Sequence, residues 1–365
     1  MSFIAQELVG TGHEVTVLTG GGCKGRGPES RESGITIVRV GSARKKQGSA
    51  TIFEMFSFCV HSIPFILCLD RKTITAIIAF FLFPTGPIAL ALKLRWGIPY
   101  IISLRGGDVP GNELRLNRLH QLLYPVRRAI YKNAKHIVAN SQDLANTARK
   151  HDNIAIEIIP NGIDTKFFCQ DRSLENACKK PRRPINFLFI GRFQTQKRVP
   201  ELLKALIRIR KVHNLDFVLT LVGDGPDKQV IDHLIKGSQS ACWIHRAGWQ
   251  DTIRVREFYW RADCLLNLSS YEGLPNTVME AMACGVAVIA SDIGPHRDLI
   301  NEGETGFLIS AGDFKTLEKR IVLCSSDRYL LGKIGKNASQ KIKEKMNWAQ
   351  VAGAYEKLAI GSLTR

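Results

Sequence analysis

Nowhere in the 365 residues of this sequence do five or six basic residues run together, although Lys and Arg number 51 against 33 Asp and Glu. A basic arm or tail for nucleic acid is therefore missing, and no familiar nucleic-acid-binding module replaces it. No CxxC pair occurs among the nine cysteines, an odd number. Zinc ligation and a disulfide framework both explain them badly. Free thiols acting as small hydrophobes fit better, with Cys59, Cys68, Cys264, Cys284 and Cys324 in apolar surroundings.

Nor is there an unbroken apolar run of about 20 residues, the length a membrane-spanning helix needs. The nearest candidate, Ile74–Leu94, is interrupted by Pro84, Gly86 and Pro87. It reads instead as a buried strand over 74–83 and a helix starting near Pro87. At the N-terminus no basic segment leads into an apolar core and Glu7 comes early, so no signal peptide is read there. The expectation is a cytoplasmic protein.

What is present is ordinary globular material. Hydrophobic residues make up 45% and charged residues 23%, which excludes a disordered or fibrous chain. The length suggests about two domains at roughly 100 to 200 residues each. The net charge of +18 fits an anionic partner: nucleic acid, an acidic membrane surface or a phosphorylated substrate. It is spread along the chain, with 24 basic against 14 acidic residues in 1–180. Without a cluster, nucleic acid is set aside, while a peripheral contact with anionic membrane through the first domain, around the apolar, basic-flanked stretch Phe53–Lys72, remains.

Short apolar runs alternate with amphipathic stretches, the pattern of parallel sheets flanked by helices. Strands are expected at 14–19, 35–40, 74–83, 100–104, 136–139 and 156–159, with a long helical region over 114–133. Ser141 is placed to cap a helix reaching Arg149. A polar, basic, proline-punctuated stretch at 171–184 then reads as a linker. A second series follows, with strands at 185–190, 217–222, 245–248, 264–268, 287–290 and 306–309. The fold class is thus α/β, with two doubly wound, Rossmann-like domains: 1–170, the linker, 185–340, and a last helix over 341–365 returning towards the first domain. Ligands in such sheets bind beyond the carboxyl ends of the strands.

Four strand-end segments carry candidate chemistry. Gly191-Arg192-Phe193 with Lys197 follows the strand at 185–190; exposed backbone N–H groups, a helix N-terminus and two cations would suit a diphosphate. Glu272-Gly273-Leu274-Pro275-Asn276-Thr277 follows the strand at 264–268. The N–H groups of Gly273, Leu274, Asn276 and Thr277 read as an anion cradle. Thr277 is expected to cap the next helix, with Glu280 on its first turn, where a carboxylate could accept two ribose hydroxyls. Glu272 is expected to face outward, where a sugar could sit. Gly223 lies in Val222-Gly223-Asp224-Gly225-Pro226, a tight turn after 217–222. In the first domain, Arg105-Gly106-Gly107-Asp108 brings backbone close to a ligand or simply closes a turn.

Together these segments resemble the retaining glycosyltransferases of the GT-B fold known as family 4, or group 1. PNGID at 160–164, LVGDGP at 221–226, EGLPNTVMEAMACG at 272–285, VIASDIGPHRDLI at 288–300 and TGFLI at 305–309 occur in that family's order. NWAQVAGAYEKL resembles its closing helix. The resemblance implies that Arg192 and Lys197 hold a donor diphosphate, Glu272 contacts the transferred sugar and Glu280 the ribose, in a cleft between two domains. It implies a UDP- or GDP-sugar as donor substrate, a glycan or lipid-linked acceptor, and neither metal nor other cofactor. The alternative is a catalytically impaired sugar-nucleotide-binding protein on the same fold.

Two departures from that pattern stand out. The histidine that many members carry after the strand matched by 74–83 is replaced by phenylalanines, which leaves Asp108 as the polar candidate on the acceptor side. Ser2–Gly12 resembles the family's first helix, so the strand and Gly-Gly loop ahead of it are missing. The expectation is a longer working enzyme, and in the present chain two bare strand edges and an uncovered apolar face on helix 2–12.

Overall fold

The computed structural model describes residues 2–21, 30–41, 51–111, 117–170, 183–238 and 242–361. The chain forms two units, Met1–Gly162 with Trp348–Arg365, and Ile163–Asn347.

The first unit runs α1 (Ser2–Gly10), β1 (Val15–Gly21), β2 (Ser30–Glu32), β3 (Ile35–Gly41), α2 (Ile52–Cys68), β4 (Ile77–Phe80), α3 (Thr85–Trp96) and β5 (Tyr100–Leu104). It continues with α4 (Asn117–Leu122), α5 (Tyr124–Asn133), β6 (His136–Ala139), α6 (Gln142–His151) and β7 (Glu157–Ile158). β4, β5, β6 and β7 form one parallel sheet in that order. A parallel strand covered on both faces reads as a continuous apolar run, and every residue of β5, YIISL, is buried. One face takes Tyr100, Ile102, Leu104 and Ile137 against Ala89, Ile130 and Leu144.

β1 pairs in parallel with β3, and β2 closes the far side of β3 antiparallel. Among the described residues β1 has no other strand partner, and β4 pairs only with β5. One edge of each is therefore without a ladder, and no residue of β1 is fully buried. The unit thus holds two sheets where one doubly wound sheet was expected. The expected bare face on α1 is not found. Ile4 is buried with Ile101, Val351 and Tyr355, and the Phe3 ring stacks on Trp348 at 5.4 Å.

The second unit runs β8 (Ile185–Ile190), α7 (Val199–His213), β9 (Phe217–Val222), α8 (Lys228–Gly237), β10 (Ile244–Gly248), α9 (Thr252–Arg261) and β11 (Cys264–Asn267). It ends with α10 (Asn276–Ala283), β12 (Ala287–Ser291), α11 (Gly294–Leu299), β13 (Phe307–Ile309), α12 (Phe314–Ser326) and α13 (Arg328–Lys345). The chain then returns to the first unit as α14 (Trp348–Ile360). The six parallel strands lie in the order β10-β9-β8-β11-β12-β13, so the direction of winding reverses between β8 and β11. Crevices for ligands open at such a reversal, beyond the carboxyl ends of the strands.

The first unit ends at Gly162, ahead of the expected 170. Ile163 and Phe168 bury themselves in the second core, and the Ile163 N–H donates to Met346 O at 2.8 Å. For the same reason 341–347 stays with the second unit. Most of the expected linker, 171–182, lies outside the described residues, as does Gly22 of the Gly20–Gly22 turn. Of the helix expected over 114–133, residues 114–116 lie outside the described residues and the rest forms two helices, α4 and α5. Cys68, expected among apolar neighbours, is exposed at the end of α2, whereas Cys264, Cys284 and Cys324 are buried. No helix among the described residues is long and apolar enough to cross a membrane.

Candidate active site

On one side of the winding reversal, the ends of β8, β9 and β10 meet backbone to backbone. Gly191 N–H donates to Val222 O at 3.0 Å, Gly223 N–H to Gly248 O at 2.8 Å, and Phe193 N–H to Asp224 O at 2.9 Å. A Cβ on Gly223 would lie 2.0 Å from Gly191 O, and the residue's φ is +134°. Only glycine combines that conformation with that approach. The glycines expected from sequence to admit a ligand thus first admit each other.

The loop after β8 turns through a short 3-10 segment, Thr195–Lys197, and is fastened to the loop after β11. Ser270 N–H donates to Gln196 O at 2.9 Å, and Gln196 Nε2 donates to Tyr271 O at 2.5 Å. Lys197 Nζ forms an ion pair with the Glu272 carboxylate, their side chains only 14% and 7% exposed. This corrects the expectation that Glu272 faces outward. A carboxylate this far from water is tolerated because a cation meets it. Arg192, by contrast, is exposed and makes no ion pair or hydrogen bond among the described residues.

The cradle is smaller than expected. Asn276 N–H donates to Leu274 O at 3.0 Å and is spent. The N–H groups of Gly273, Leu274 and Thr277 have no internal acceptor among the described residues. α10 starts at Asn276 after Pro275 with no side-chain cap, so Thr277 is not its cap. Glu280 therefore lies on the second turn, not the first. Val278, Ala281 and Met282 are buried, as their spacing implies.

Burial pushes the Glu280 carboxyl up to about 7, against the opposing pull of its hydrogen bond from Tyr259. The buried Tyr259 OH lies 2.8 Å from Glu280 Oε2 and 3.2 Å from Thr277 O. A carboxyl raised in the folded state holds its proton longer there than in the unfolded chain. Its stabilising contribution is thus complete below about pH 4.5 and is lost as pH rises through about 7. Against a Glu280→Gln variant, the wild type is expected to lose stability between pH 5 and pH 8 by up to about 3 kcal/mol. Parallel pH profiles of Tm in the two proteins would refute this.

Three participants escaped the sequence reading. Gln196 and Tyr259 carry no motif signal. His296, fully buried, directs Nδ1 to Ser291 O at 2.7 Å, and Ser291 Oγ donates in turn to Ser269 O at 2.5 Å. It thereby anchors the start of the loop carrying Glu272. Burial is the largest influence on its imidazole and lowers its pKa. A histidine shortly after a strand-end serine was the available signal.

The first-unit candidates form a cluster of their own. Asp108, expected to serve the acceptor side, is buried and accepts N–H bonds from Leu82, Arg105 and Gly106 at 2.8–2.9 Å. Its carboxylate holds a turn, and burial raises its pKa. Gly106 N–H and O are both used in that turn, and His120 Nε2 lies 3.1 Å from Gly107 O. Arg105 is engaged by Asn161 Oδ1 and by Tyr355 OH, and lies 4.8 Å above the Phe80 ring.

The whole arrangement in the second unit suits an anion flanked by carboxylates: Lys197, Arg192 and the three N–H groups for charge, Glu272 and Glu280 for hydroxyls. Comparison with known proteins shows the family of the chain. A model described as "Glycosyl transferases group 1" matches residues 171–341, and one described as "Glycosyltransferase Family 4" matches 3–167. The chain is 28% identical over 265 residues to the N-acetyl-alpha-D-glucosaminyl L-malate synthase of Bacillus anthracis, covering 71% of this chain and 67% of that one. Among solved structures, the sucrose-phosphate synthase of Thermosynechococcus elongatus superposes with a TM-score of 0.78 at 19% identity, over 99% and 92% of the two chains. HepE of Anabaena in complex with UDP gives 0.68 at 15% identity, over 88% and 85%.

Proposed function

Because the chain is a glycosyltransferase of the GT-B fold, with a family 4 domain followed by a group 1 domain, we propose that it moves a sugar from a nucleotide-sugar to a hydroxyl with retention of anomeric configuration. The donor is a UDP- or GDP-sugar and the acceptor a glycan or lipid-linked hydroxyl of the cell envelope. The observation that carries this reading is the Lys197–Glu272 pair on the two loops flanking the winding reversal. A diphosphate entering beside it draws Lys197 away. Glu272 is then released towards the sugar hydroxyls, so one event charges the phosphate subsite and frees the sugar subsite.

In the proposed step the bond from the anomeric carbon to the leaving phosphate oxygen breaks. The acceptor oxygen bonds on the same face, and its proton passes to the departing phosphate. Lys197, Arg192 and the amides of Gly273, Leu274 and Thr277 stabilise the charge that develops on the leaving diphosphate. Glu280 receives the ribose hydroxyls. No metal is assigned a role, and no covalent protein nucleophile.

A panel of nucleotide-sugars read by thermal shift tests the donor. A ligand at 100 times its Kd stabilises by about 2.7 kcal/mol. One UDP- or GDP-sugar should raise Tm, unaffected by EDTA, and product NMR should show the donor's anomeric configuration kept. If no nucleotide-sugar shifts Tm, the donor reading fails. An inverted product would overturn retention alone.

A further inference from the structure

The helix α2 turns much of its apolar content outward. Its buried positions are Glu54, Ser57, Phe58 and Ser62, while Ile52, Phe53, Phe56, Val60, Ile63 and Leu67 are exposed. Phe53 is 70% exposed, Phe56 66% and Leu67 61%. Phe53, Phe56, Val60, Ile63 and Leu67 recur at intervals of three and four, which places them on one stripe of the helix. Glu54, the only charged residue of α2, is withdrawn into a capping box with Thr51, so the stripe carries no charge. The short turn that follows presents Arg71 and Lys72 to solvent. A contiguous apolar stripe of this size on a soluble surface marks a contact with something else.

We propose that α2 lies in the plane of an anionic membrane surface, its phenylalanines and aliphatic side chains among the acyl chains and Arg71 and Lys72 at the headgroups. Charge decides between this and a second copy of the chain. The first unit carries 22 Lys and Arg against 12 Asp and Glu, so two such units brought stripe to stripe repel, whereas anionic lipid attracts. An apolar stripe with cations at its end is the composition of helices that bind at bilayer interfaces. A phenylalanine ring suits the boundary between chains and headgroups, and the buried Phe58, packed with Val38, Val40, Ile88 and Leu92, keeps the opposite face tied to the fold. The inference does not depend on which sugar is transferred.

Vesicle co-sedimentation, read without any nucleotide-sugar, tests it. The full chain should sediment with phosphatidylglycerol vesicles at low salt and at least tenfold less with phosphatidylcholine vesicles. Phe53→Ser combined with Phe56→Ser should reduce that partition at least tenfold while Tm stays put, since neither side chain is in the core. Arg71→Glu with Lys72→Glu should abolish the preference for anionic lipid. Equal sedimentation of the wild type and the phenylalanine variant overturns the proposal, as does absence of sedimentation. A dimer in light scattering that the phenylalanine variant splits, with vesicle binding unchanged, would assign the stripe to a second copy instead.

Discussion

Lys197→Ala is expected to lower kcat/KM for the nucleotide-sugar by about 10²- to 10³-fold, the effect of removing one donor aimed at a developing oxyanion. Part of the loss arises before any substrate binds. Without Lys197 the Glu272 carboxylate is left nearly buried and unpaired, a change that costs about 3 to 5 kcal/mol when a buried pair is broken. The two effects separate in a double variant. Adding Glu272→Gln removes the stranded charge, so Tm should recover while kcat/KM stays low. Arg192→Ala provides the contrast: an exposed, unengaged cation can be removed with Tm unchanged, and turnover alone should fall. Wild-type kcat/KM in Lys197→Ala, with the fold intact, would remove the diphosphate clamp from the mechanism.

The second large effect is on folding. Gly223→Ala places a methyl 2.0 Å from Gly191 O at a φ of +134°. Strained backbone of this kind costs about 1 to 3 kcal/mol and the overpacking about 1 to 3 more. The second unit should lose about 2 to 6 kcal/mol, read as a fall in the denaturant midpoint at an unchanged slope. Gly273→Ala is the matched control, because nothing lies within 4 Å of the position its Cβ would occupy. Comparable losses in the two variants would show that the contact between Gly223 and Gly191 is not what fixes the strand ends.

The comparison between Asp108 and Glu272 shows what a sequence conveys about such sites. Both follow a strand and sit beside glycine, and on spacing alone both read as free to meet a substrate. The difference is where nearby N–H groups point. Around Asp108 three of them converge on the carboxylate, and around Glu272 a lysine 75 positions away does. Neither direction is encoded in local spacing. The strands at 100–104, 136–139, 185–190 and 217–222 were legible to the residue because buried parallel strands leave largely apolar runs, each here with a single polar residue. Helix α2 was not, because apolar residues lie on both its buried and its exposed faces and blur the usual alternation. Its capping box, Thr51 with Glu54, was present in the sequence as a helix start and passed over. Tyr259 and Gln196 were beyond reach, since each acts through a contact between segments far apart in the chain.

The division of the first unit into two sheets has a consequence for how it breathes. No ladder joins β1 to β4, so the three-stranded sheet can open without breaking a single hydrogen bond of the four-stranded one. Stability within a domain follows such seams, and segments that open alone exchange their amide protons ahead of global unfolding. In hydrogen exchange the amides of Val15–Gly21 and Ile35–Gly41 are expected to form one group and those of Tyr100–Leu104 another, the second slower. The unladdered side of β1 is also a template on which another extended backbone can lie down.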